Sequence, residues 1–248
     1  MERQEYDKMF QQENDFWWYK TLHQIVVLSI DKITKKNDLK IFDAGCGTGR
    51  MIALLKDKGE VSGMDFSAAA VAYSKDRGLE HIEQGDINTW EFKENYYDFI
   101  ISLDVLCHES IVDINDIYKR MYKALKLGGQ LILNLPAFEL LKIDHDICVQ
   151  TKTRFRRKST RIALEKVGFT ISKATYRMPL LFIIIILQKI KRMFFKPKNI
   201  QSDLNDVPSW INSLFYKLGK IENRYLQNIG SIPFGSSLFI VATKMKRR

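Results

Sequence analysis

Short apolar runs alternate with helix-spaced apolar positions over residues 39–135. The runs that predict buried strands are LKIFDAG, VSGMD, YDFIISL and LKLGGQLILNLP. Helical patterns follow the first two runs, and Ser67 can cap the second of these helices. A third helix is indicated by one apolar face, formed by Ile114, Ile117, Tyr118, Met121 and Leu125. Strands that alternate with helices predict an α/β fold whose parallel sheet is covered on both faces.

The rest of the chain predicts two helical additions and two more strands. The aromatic-rich segment NDFWWYKTLHQIVVLSIDKI predicts an N-terminal helical unit within 1–36, and GFTISKATYR and SSLFIVATK predict the last strands. Residues 178–230 separate these two strands, and roughly fifty residues are too many for a plain loop. We therefore expect a helical cap over 178–230, inserted into a core formed by 37–177 and 231–248.

Charge is distributed unevenly along the 248 residues. The net charge is +10, but residues 149–248 hold 21 Lys and Arg against four Asp and Glu, so they carry +17 and residues 1–148 carry −7. Such asymmetry predicts either an anionic partner for the C-terminal part or a solvated basic surface.

Three unpaired cysteines indicate a reducing, cytoplasmic compartment, and the charged N-terminus MERQEYDKMF contains no signal-peptide pattern.

The stretch IFDAGCGTG places three alternate glycines after an acid that closes a strand. In parallel sheets ligands bind at the carboxyl ends of the strands, where a glycine turn lets backbone N–H groups approach them. Asp65 ends the next strand 22 residues after Asp43, which suits an acceptor for a ribose diol. The pattern D-x-G-x-G-x-G matches neither the dinucleotide fingerprint nor the phosphate loop, so it does not predict a pyrophosphate ligand.

This stretch resembles motif I of class I S-adenosylmethionine-dependent methyltransferases. The segments EQGDIN, YDFIISLDVLCH and LKLGGQLILNLP resemble later motifs of that family in the same order, and FGSSLFIVATK is similar to its last strand. The resemblance implies a Rossmann-like seven-stranded sheet, mostly parallel with an antiparallel last strand. It also implies S-adenosylmethionine as methyl donor and S-adenosylhomocysteine as product.

The resemblance further implies a set of donor-binding residues. Gly45 and Gly47 would lie against the methionine part of the donor, Asp43 would face its ammonium group, Asp65 would bind the ribose, and Asp86 would contact the adenine. The complete cofactor set implied in this way is Asp43, Gly45, Cys46, Gly47, Gly49, Asp65, Phe66, Asp86, Ile87 and Leu103.

Two catalytic candidates follow the fourth predicted strand. Methyl transfer is an in-line displacement, so alignment supplies much of the catalysis and a base is needed only when the acceptor must lose a proton. Asp104 and His108 are one helical turn apart and would face the same side if their segment were helical. His108, with an ordinary pKa of ~6.5, is either that base or a local hydrogen-bonding residue. No His, Asp or Glu set has metal-ligand spacing, so we expect no metal.

Two segments leave alternatives open. Trp17, Trp18 and Tyr19 either form a lid over donor and acceptor or pack on the edge of the sheet. The apolar run 180–187 is too short to span a bilayer, since ~20 residues are needed. The basic residues after it are Lys189, Lys191, Arg192, Lys196 and Lys198. One interpretation is that this segment contacts a membrane surface, or binds an anionic or lipid-linked acceptor. The other interpretation is that it is a buried cap helix or a dimer contact.

We therefore predict a methyltransferase that acts on an oxygen or nitrogen atom of a small-molecule, peptide or lipid-linked acceptor. Nucleic acid is not the expected acceptor, because the chain lacks an NPPY or DPPY motif and a suitable cysteine pair. The alternative is a non-catalytic S-adenosylmethionine-binding protein whose basic C-terminal region binds RNA or a membrane. The predicted location is cytoplasmic, with membrane association and the oligomeric state left open.

Overall fold

A seven-stranded sheet forms the centre of the protein. The computed structural model describes residues 3–143, 146–147, 149–194, 207–228 and 230–246. The strands are β1 (Leu39–Ala44), β2 (Gly59–Asp65), β3 (Ile82–Gln84), β4 (Tyr97–Leu103), β5 (Leu125–Pro136), β6 (Phe169–Arg177) and β7 (Ser237–Lys244). Their order is β3-β2-β1-β4-β5-β7-β6, and only β7 runs antiparallel to its neighbours. This arrangement confirms the predicted fold.

Eight helices with described bounds surround the sheet. They are α1 (Arg3–Gln12), α2 (Trp17–Ile33), α3 (Arg50–Leu55), α4 (Ala68–Asp76), α5 (Ile114–Ala124), α6 (Arg157–Val167), α7 (Pro179–Phe194) and α8 (Ser209–Asn228). Short 3-10 turns occur at Lys56–Lys58 and Glu139–Leu141. Ser67 accepts a hydrogen bond from the Ala70 N–H and caps α4 as predicted.

Hydrophobic side chains fill both faces of the sheet. The predicted apolar face of α5 is confirmed, because Ile117, Tyr118 and Met121 are buried in one core layer. The opposite layer is formed mainly by α2, α3 and α8, with side chains such as Ile30 and Leu226 fully buried. Covering both faces leaves the edge formed by the carboxyl ends of the strands as the place for polar side chains.

Polar residues from four strands or strand ends meet at this edge. β1 reaches it at Asp43, β2 at Asp65 and β4 just before Asp104. β5 and β6 both pair antiparallel with β7, so β6 ends at the same edge, at Arg177. The sheet therefore collects acids and one arginine that are up to 134 residues apart in the chain.

Helices α7 and α8 occupy the region expected to form a cap. The Trp17 and Phe215 rings lie 5.0 Å apart, and Asn223 Nδ2 donates a hydrogen bond to the Thr21 carbonyl oxygen at 2.8 Å. Gly219 allows this close packing of α8 on α2, because a Cβ there would lie 2.4 Å from a Thr21 methyl group. Lys196 and Lys198 lie outside the described residues, as does the side chain of Arg192.

The helices of the described part of the chain include none that is both long and apolar enough to cross a membrane. Helix α7 is not a fully buried cap helix, because four of its large apolar side chains are exposed.

Candidate active site

The glycine turn after β1 is built from left-handed backbone. Gly45 and Gly47 have φ values of +93° and +54°, a region that side chains with a Cβ rarely adopt. A Cβ on Gly45 would lie 2.2 Å from a Val105 methyl group, so the turn also packs tightly against the segment after β4. The Gly45 N–H donates to the Met64 carbonyl oxygen at 2.8 Å and ties the turn to β2.

Asp43 is a buried carboxylate with an incomplete set of partners. Its Oδ1 atom has no hydrogen-bond partner among the described residues. Burial, and then repulsion from Asp65, raises the pKa of Asp43 to about 8. A buried acid without compensation costs stability, and such groups concentrate at binding sites. The position therefore suits the cationic group of a ligand.

Asp65 holds the glycine turn by accepting main-chain hydrogen bonds. Its Oδ2 accepts from the Gly47 N–H at 2.8 Å, and its Oδ1 accepts from the Ser67 N–H at 2.9 Å. The Tyr6 hydroxyl donates to the same Oδ1 at 3.3 Å. Burial raises the pKa of Asp65, while the two N–H donors favour its ionised form.

Helix α1 lies over the glycine turn. Met9 Sδ would be 3.1 Å from a Cβ on Gly47, and the Phe10 ring stacks on the Tyr73 ring at 4.5 Å. Glu13 bonds the Thr48 hydroxyl and the Arg77 guanidinium. We did not predict this contact from the sequence. A signal was present, since the residues that face the turn have helical spacing: Tyr6, Met9, Phe10 and Glu13.

The other residues of the expected cofactor set lie around this turn and the ends of β2, β3 and β4. Phe66 is 70% exposed directly after Asp65, whereas Ile87 is buried. The Asp86 Oδ1 accepts hydrogen bonds from the main-chain and side-chain nitrogens of Asn88, at 2.9 and 2.8 Å. Cys46 is buried, Leu103 is partly exposed, and Gly49 precedes α3 with a φ value of +82°.

The segment that follows Asp104 is not helical. The φ value of Asp104 is +56°, and residues 104–108 form a bend and turn, so the helical relation to His108 considered above is absent. The Asp104 carboxylate accepts a hydrogen bond from Asn134 Nδ2 at 2.7 Å. Burial raises its pKa to about 6, against the opposing effects of Asn134, Arg177 and Arg154. The residue as a whole nevertheless keeps partial exposure.

Arg177 supports Asp104 through Asn134. Arg177 is 1% exposed, and its Nη1 donates to Asn134 Oδ1 at 3.3 Å. Because the arginine engages the amide oxygen, the amide nitrogen of Asn134 points at Asp104. Glu222 and Asp104 both raise the pKa of Arg177, although burial lowers it overall. Its Nε has no hydrogen-bond partner in the described part of the chain.

His108 is half-buried and engaged locally. Its Nδ1 lies 2.8 Å from Ser110 Oγ, and its Nε2 lies 3.1 Å from Gln150 Oε1. Burial lowers its pKa. Both ring nitrogens therefore have side-chain neighbours, which matches the local hydrogen-bonding alternative better than that of a general base.

The aromatic segment at the start of α2 faces two directions. Trp17 is buried against Phe215 of α8, and its main-chain N–H donates to Asn212 Oδ1 at 2.8 Å. Tyr19 packs edge-on against Trp18 with ring centroids 5.0 Å apart. Burial raises the pKa of Tyr19, and negative charge on Glu13, Glu5 and Asp104 raises it further.

A known family matches the part of the chain that contains these site residues. The profile of the methyltransferase domain family matches residues 42–133, which run from β1 into β5 and include the glycine turn, Asp65 and Asp104. Residues 42–133 belong to the class I S-adenosylmethionine-dependent methyltransferase domain family. The family predicted from the sequence is thus confirmed, and so is S-adenosylmethionine as the donor that this family uses.

Curated relatives of the methyltransferase match parts of the chain. Phosphoethanolamine N-methyltransferase 1 of Triticum aestivum is 30% identical over 112 residues, covering 42% of this chain and 22% of that protein. The phosphoethanolamine N-methyltransferase of Plasmodium falciparum is 28% identical over 155 residues, covering 60% and 57%. A ubiquinone biosynthesis O-methyltransferase of Pseudomonas entomophila is 27% identical over 133 residues, covering 48% and 56%. The chain therefore spans less than two thirds of each of these relatives.

Solved structures share the fold of this methyltransferase at low sequence identity. A chain from the complex of the Haloferax volcanii Trm112 activator with a methyltransferase is 15% identical, with a TM-score of 0.62 and coverage of 99% and 98%. Haemonchus contortus phosphoethanolamine N-methyltransferase 2 bound to S-adenosylmethionine is 20% identical, with a TM-score of 0.58 and coverage of 90% and 52%. The [4+2]-cyclase SpnF is 15% identical, with a TM-score of 0.59 and coverage of 93% and 84%.

Proposed function

We propose that the protein transfers a methyl group from S-adenosylmethionine to a nitrogen or oxygen atom of an acceptor held beside Asp104. The observation that carries this proposal is the pair of buried acids around the glycine turn. Asp43 Oδ1 has no hydrogen-bond partner in the described ranges of the chain, and Asp65 lies at the end of the neighbouring strand. A donor with an ammonium group and a ribose diol would supply the partner that Asp43 Oδ1 needs and would bind the Asp65 carboxylate in competition with the Tyr6 hydroxyl.

The donor would lie along the carboxyl edge from β1 to β3. Asp43 would face its amino group, Asp65 its ribose, and Phe66, Asp86 and Ile87 its adenine. The donor supplies a methyl carbon already activated by the sulfonium. The protein must therefore align the acceptor, exclude water and remove a proton where the acceptor carries one.

The acceptor would lie beside the group formed by Asp104, Asn134 and Arg177. With a pKa of about 6, Asp104 is largely ionised at neutral pH and can take a proton from an acceptor hydroxyl or ammonium group. Arg177 fixes the Asn134 amide, and the amide holds the carboxylate at one orientation. Tyr6 and Met9 of α1 lie against Asp65 and the glycine turn, so we propose that the N-terminal helices, residues 1–36, act as the lid of the site.

The comparisons support both nitrogen and oxygen acceptors. The names of the relatives describe N-methylation of phosphoethanolamine and O-methylation in ubiquinone biosynthesis. We propose a small amine or hydroxyl acceptor, and peptide and lipid-linked acceptors are the alternatives. Because the [4+2]-cyclase shares this fold, activity must be measured directly. Formation of S-adenosylhomocysteine across a panel of amines, phosphobases and phenols tests the proposal, and donor binding without any product favours the non-catalytic alternative.

Donor binding is expected to depend on Asp65. Replacing Asp65→Ala removes a charged hydrogen-bond acceptor and should weaken S-adenosylmethionine binding by about 1–3 kcal/mol, measured by isothermal titration calorimetry. The control is Asp116→Ala, which removes an exposed carboxylate from α5. Equal affinity of both folded variants and the wild type would contradict the assignment of Asp65 to the donor.

Removing the Tyr6 hydroxyl is expected to strengthen donor binding. Three donors already occupy the Asp65 carboxylate, so a ribose diol must compete with Tyr6 for its oxygens. Replacing Tyr6→Phe should raise the affinity for S-adenosylmethionine by about three- to tenfold, the net contribution of one long hydrogen bond to the Asp65 carboxylate. Tyr96→Phe is the control, because its hydroxyl bonds Glu60 at the far side of the sheet. Weaker binding by Tyr6→Phe would indicate that the hydroxyl contacts the donor.

A further inference from the structure

The two helices of the cap expose apolar stripes. On α7 the exposed residues Leu180, Ile183, Leu187 and Ile190 follow helical spacing. On α8 the same holds for Trp210, Leu214, Leu218, Ile221 and Tyr225, of which Trp210 is 68% exposed. Nine of the nineteen large apolar side chains exposed in the described part of the chain lie on these helices. Concentration of this kind marks an interaction surface, whereas scattered exposed residues do not.

The stripes are not needed to cover the protein interior, because the helices pack through their other sides. Helix α7 buries Ile185, and its Phe182 contacts Phe138 and Phe234. Helix α8 buries Asn223 and Leu226 against α2 and the sheet. Each helix thus has one face in the core and a second apolar face toward solvent.

The charges beside the stripes are of one sign. Among the side chains of the two helices that the structure describes, the exposed charged ones are Lys191, Lys217 and Arg224, and the half-buried Lys189 and Lys220 add to them. Glu222 is the one acid in either helix sequence. Its Oε1 accepts the Met178 N–H at 2.8 Å, so it is directed into the protein. The surface therefore presents apolar stripes flanked by cations.

We propose that the apolar stripes of α7 and α8, with their basic flanks, bind the headgroup region of an anionic phospholipid bilayer. Apolar stripes with basic flanks lie in the plane of the interface, and Trp and Tyr side chains favour the headgroup level. A second copy of the chain fits less well, because pairing the same surfaces would bring cations together. The proposal concerns peripheral binding and is independent of the methyl-transfer reaction.

The test is flotation of the full chain with vesicles. Vesicles of phosphatidylcholine alone are compared with vesicles of equal parts phosphatidylcholine and phosphatidylglycerol. We expect the protein to float with the anionic vesicles and to bind more weakly as the Debye length falls from ~30 Å at 0.01 M salt to ~10 Å at 0.1 M. Absence of flotation with anionic vesicles at low salt would overturn the proposal.

Two pairs of variants locate the surface. Leu214→Gln with Ile221→Gln, and separately Lys217→Gln with Arg224→Gln, should each weaken vesicle binding by about tenfold or more. The matched controls are Leu54→Gln with Ile162→Gln, on α3 and α6, and Lys56→Gln with Lys75→Gln; all four residues are exposed. Unchanged S-adenosylmethionine affinity in each variant verifies the fold. Equal vesicle binding by variants and controls would overturn the proposal, and so would a dimer in light scattering that only the apolar variant dissociates.

Discussion

Replacing Asp104→Asn is expected to lower turnover by about 10²–10⁴-fold while S-adenosylmethionine affinity stays near that of the wild type. The amide keeps the size of the side chain and can still bond Asn134, but it cannot take a proton from the acceptor. The measurement is the rate of S-adenosylhomocysteine formation with whichever acceptor of the panel the wild type methylates, together with a calorimetric donor titration.

The pH dependence of kcat/KM distinguishes a role of Asp104 in proton transfer from a role in packing alone. With the pKa of Asp104 at about 6, kcat/KM should rise with pH through that value and then level off. Asn134→Leu removes a hydrogen bond that favours the ionised carboxylate, so the rising limb should move to higher pH. A profile that keeps its midpoint in Asn134→Leu would contradict a role for this pair in setting the proton affinity.

His108 provides the internal comparison. Its ring nitrogens lie beside Ser110 and Gln150, so His108→Asn should reduce turnover by less than about tenfold. If His108→Asn loses activity and Asp104→Asn retains it, the base is His108 and Asp104 has a structural role.

The donor side of the site could be predicted because its residues are close together in the sequence. The turn from Asp43 to Gly49 is one continuous motif, and Asp65 follows at the spacing set by one strand–helix–strand unit. The sheet could be predicted from the alternation of apolar runs and helical patterns. Strand β3 was predicted only through the family resemblance, since three residues, Ile82–Gln84, are too few to show a pattern of their own.

The acceptor side could not be predicted in the same way. Asn134 and Arg177 lie on different strands, so only the folded sheet brings them near Asp104. Each is a single polar residue beside apolar ones, and such residues are individually common. The positive φ value of Asp104 is likewise invisible to spacing, which is why a helical turn to His108 was considered and is absent.

Replacing Asp43→Asn is expected to weaken S-adenosylmethionine binding by about 10- to 100-fold and, at the same time, to stabilise the protein. In the folded protein the pKa of Asp43 is about 8, above the ~3.9 of an unfolded aspartate. The folded state therefore holds its proton over a range in which the unfolded chain has lost it. Stability from this group is fully present below the unfolded pKa and is lost as pH rises through about 8.

Asparagine does not ionise, so the variant escapes this loss. The gain in unfolding free energy over the wild type should grow between about pH 4 and about pH 8, by at most ~1.4 kcal/mol per pH unit, measured by urea denaturation without donor. Asp65→Asn is the comparison, and it should also weaken donor binding. Burial raises the pKa of Asp65 as well, but an amide offers one acceptor oxygen where the two main-chain N–H donors of Gly47 and Ser67 need two, so this variant should destabilise the protein. A gain for Asp43→Asn that does not vary with pH would mean that burial does not raise the pKa of this carboxylate. Loss of stability at pH 8 would mean that the carboxylate has a favourable partner in the folded protein. Opposite changes in the stability of the two variants would show that Asp43 serves ligand binding at a cost to stability. Asp65, by contrast, would contribute both to ligand binding and to stability.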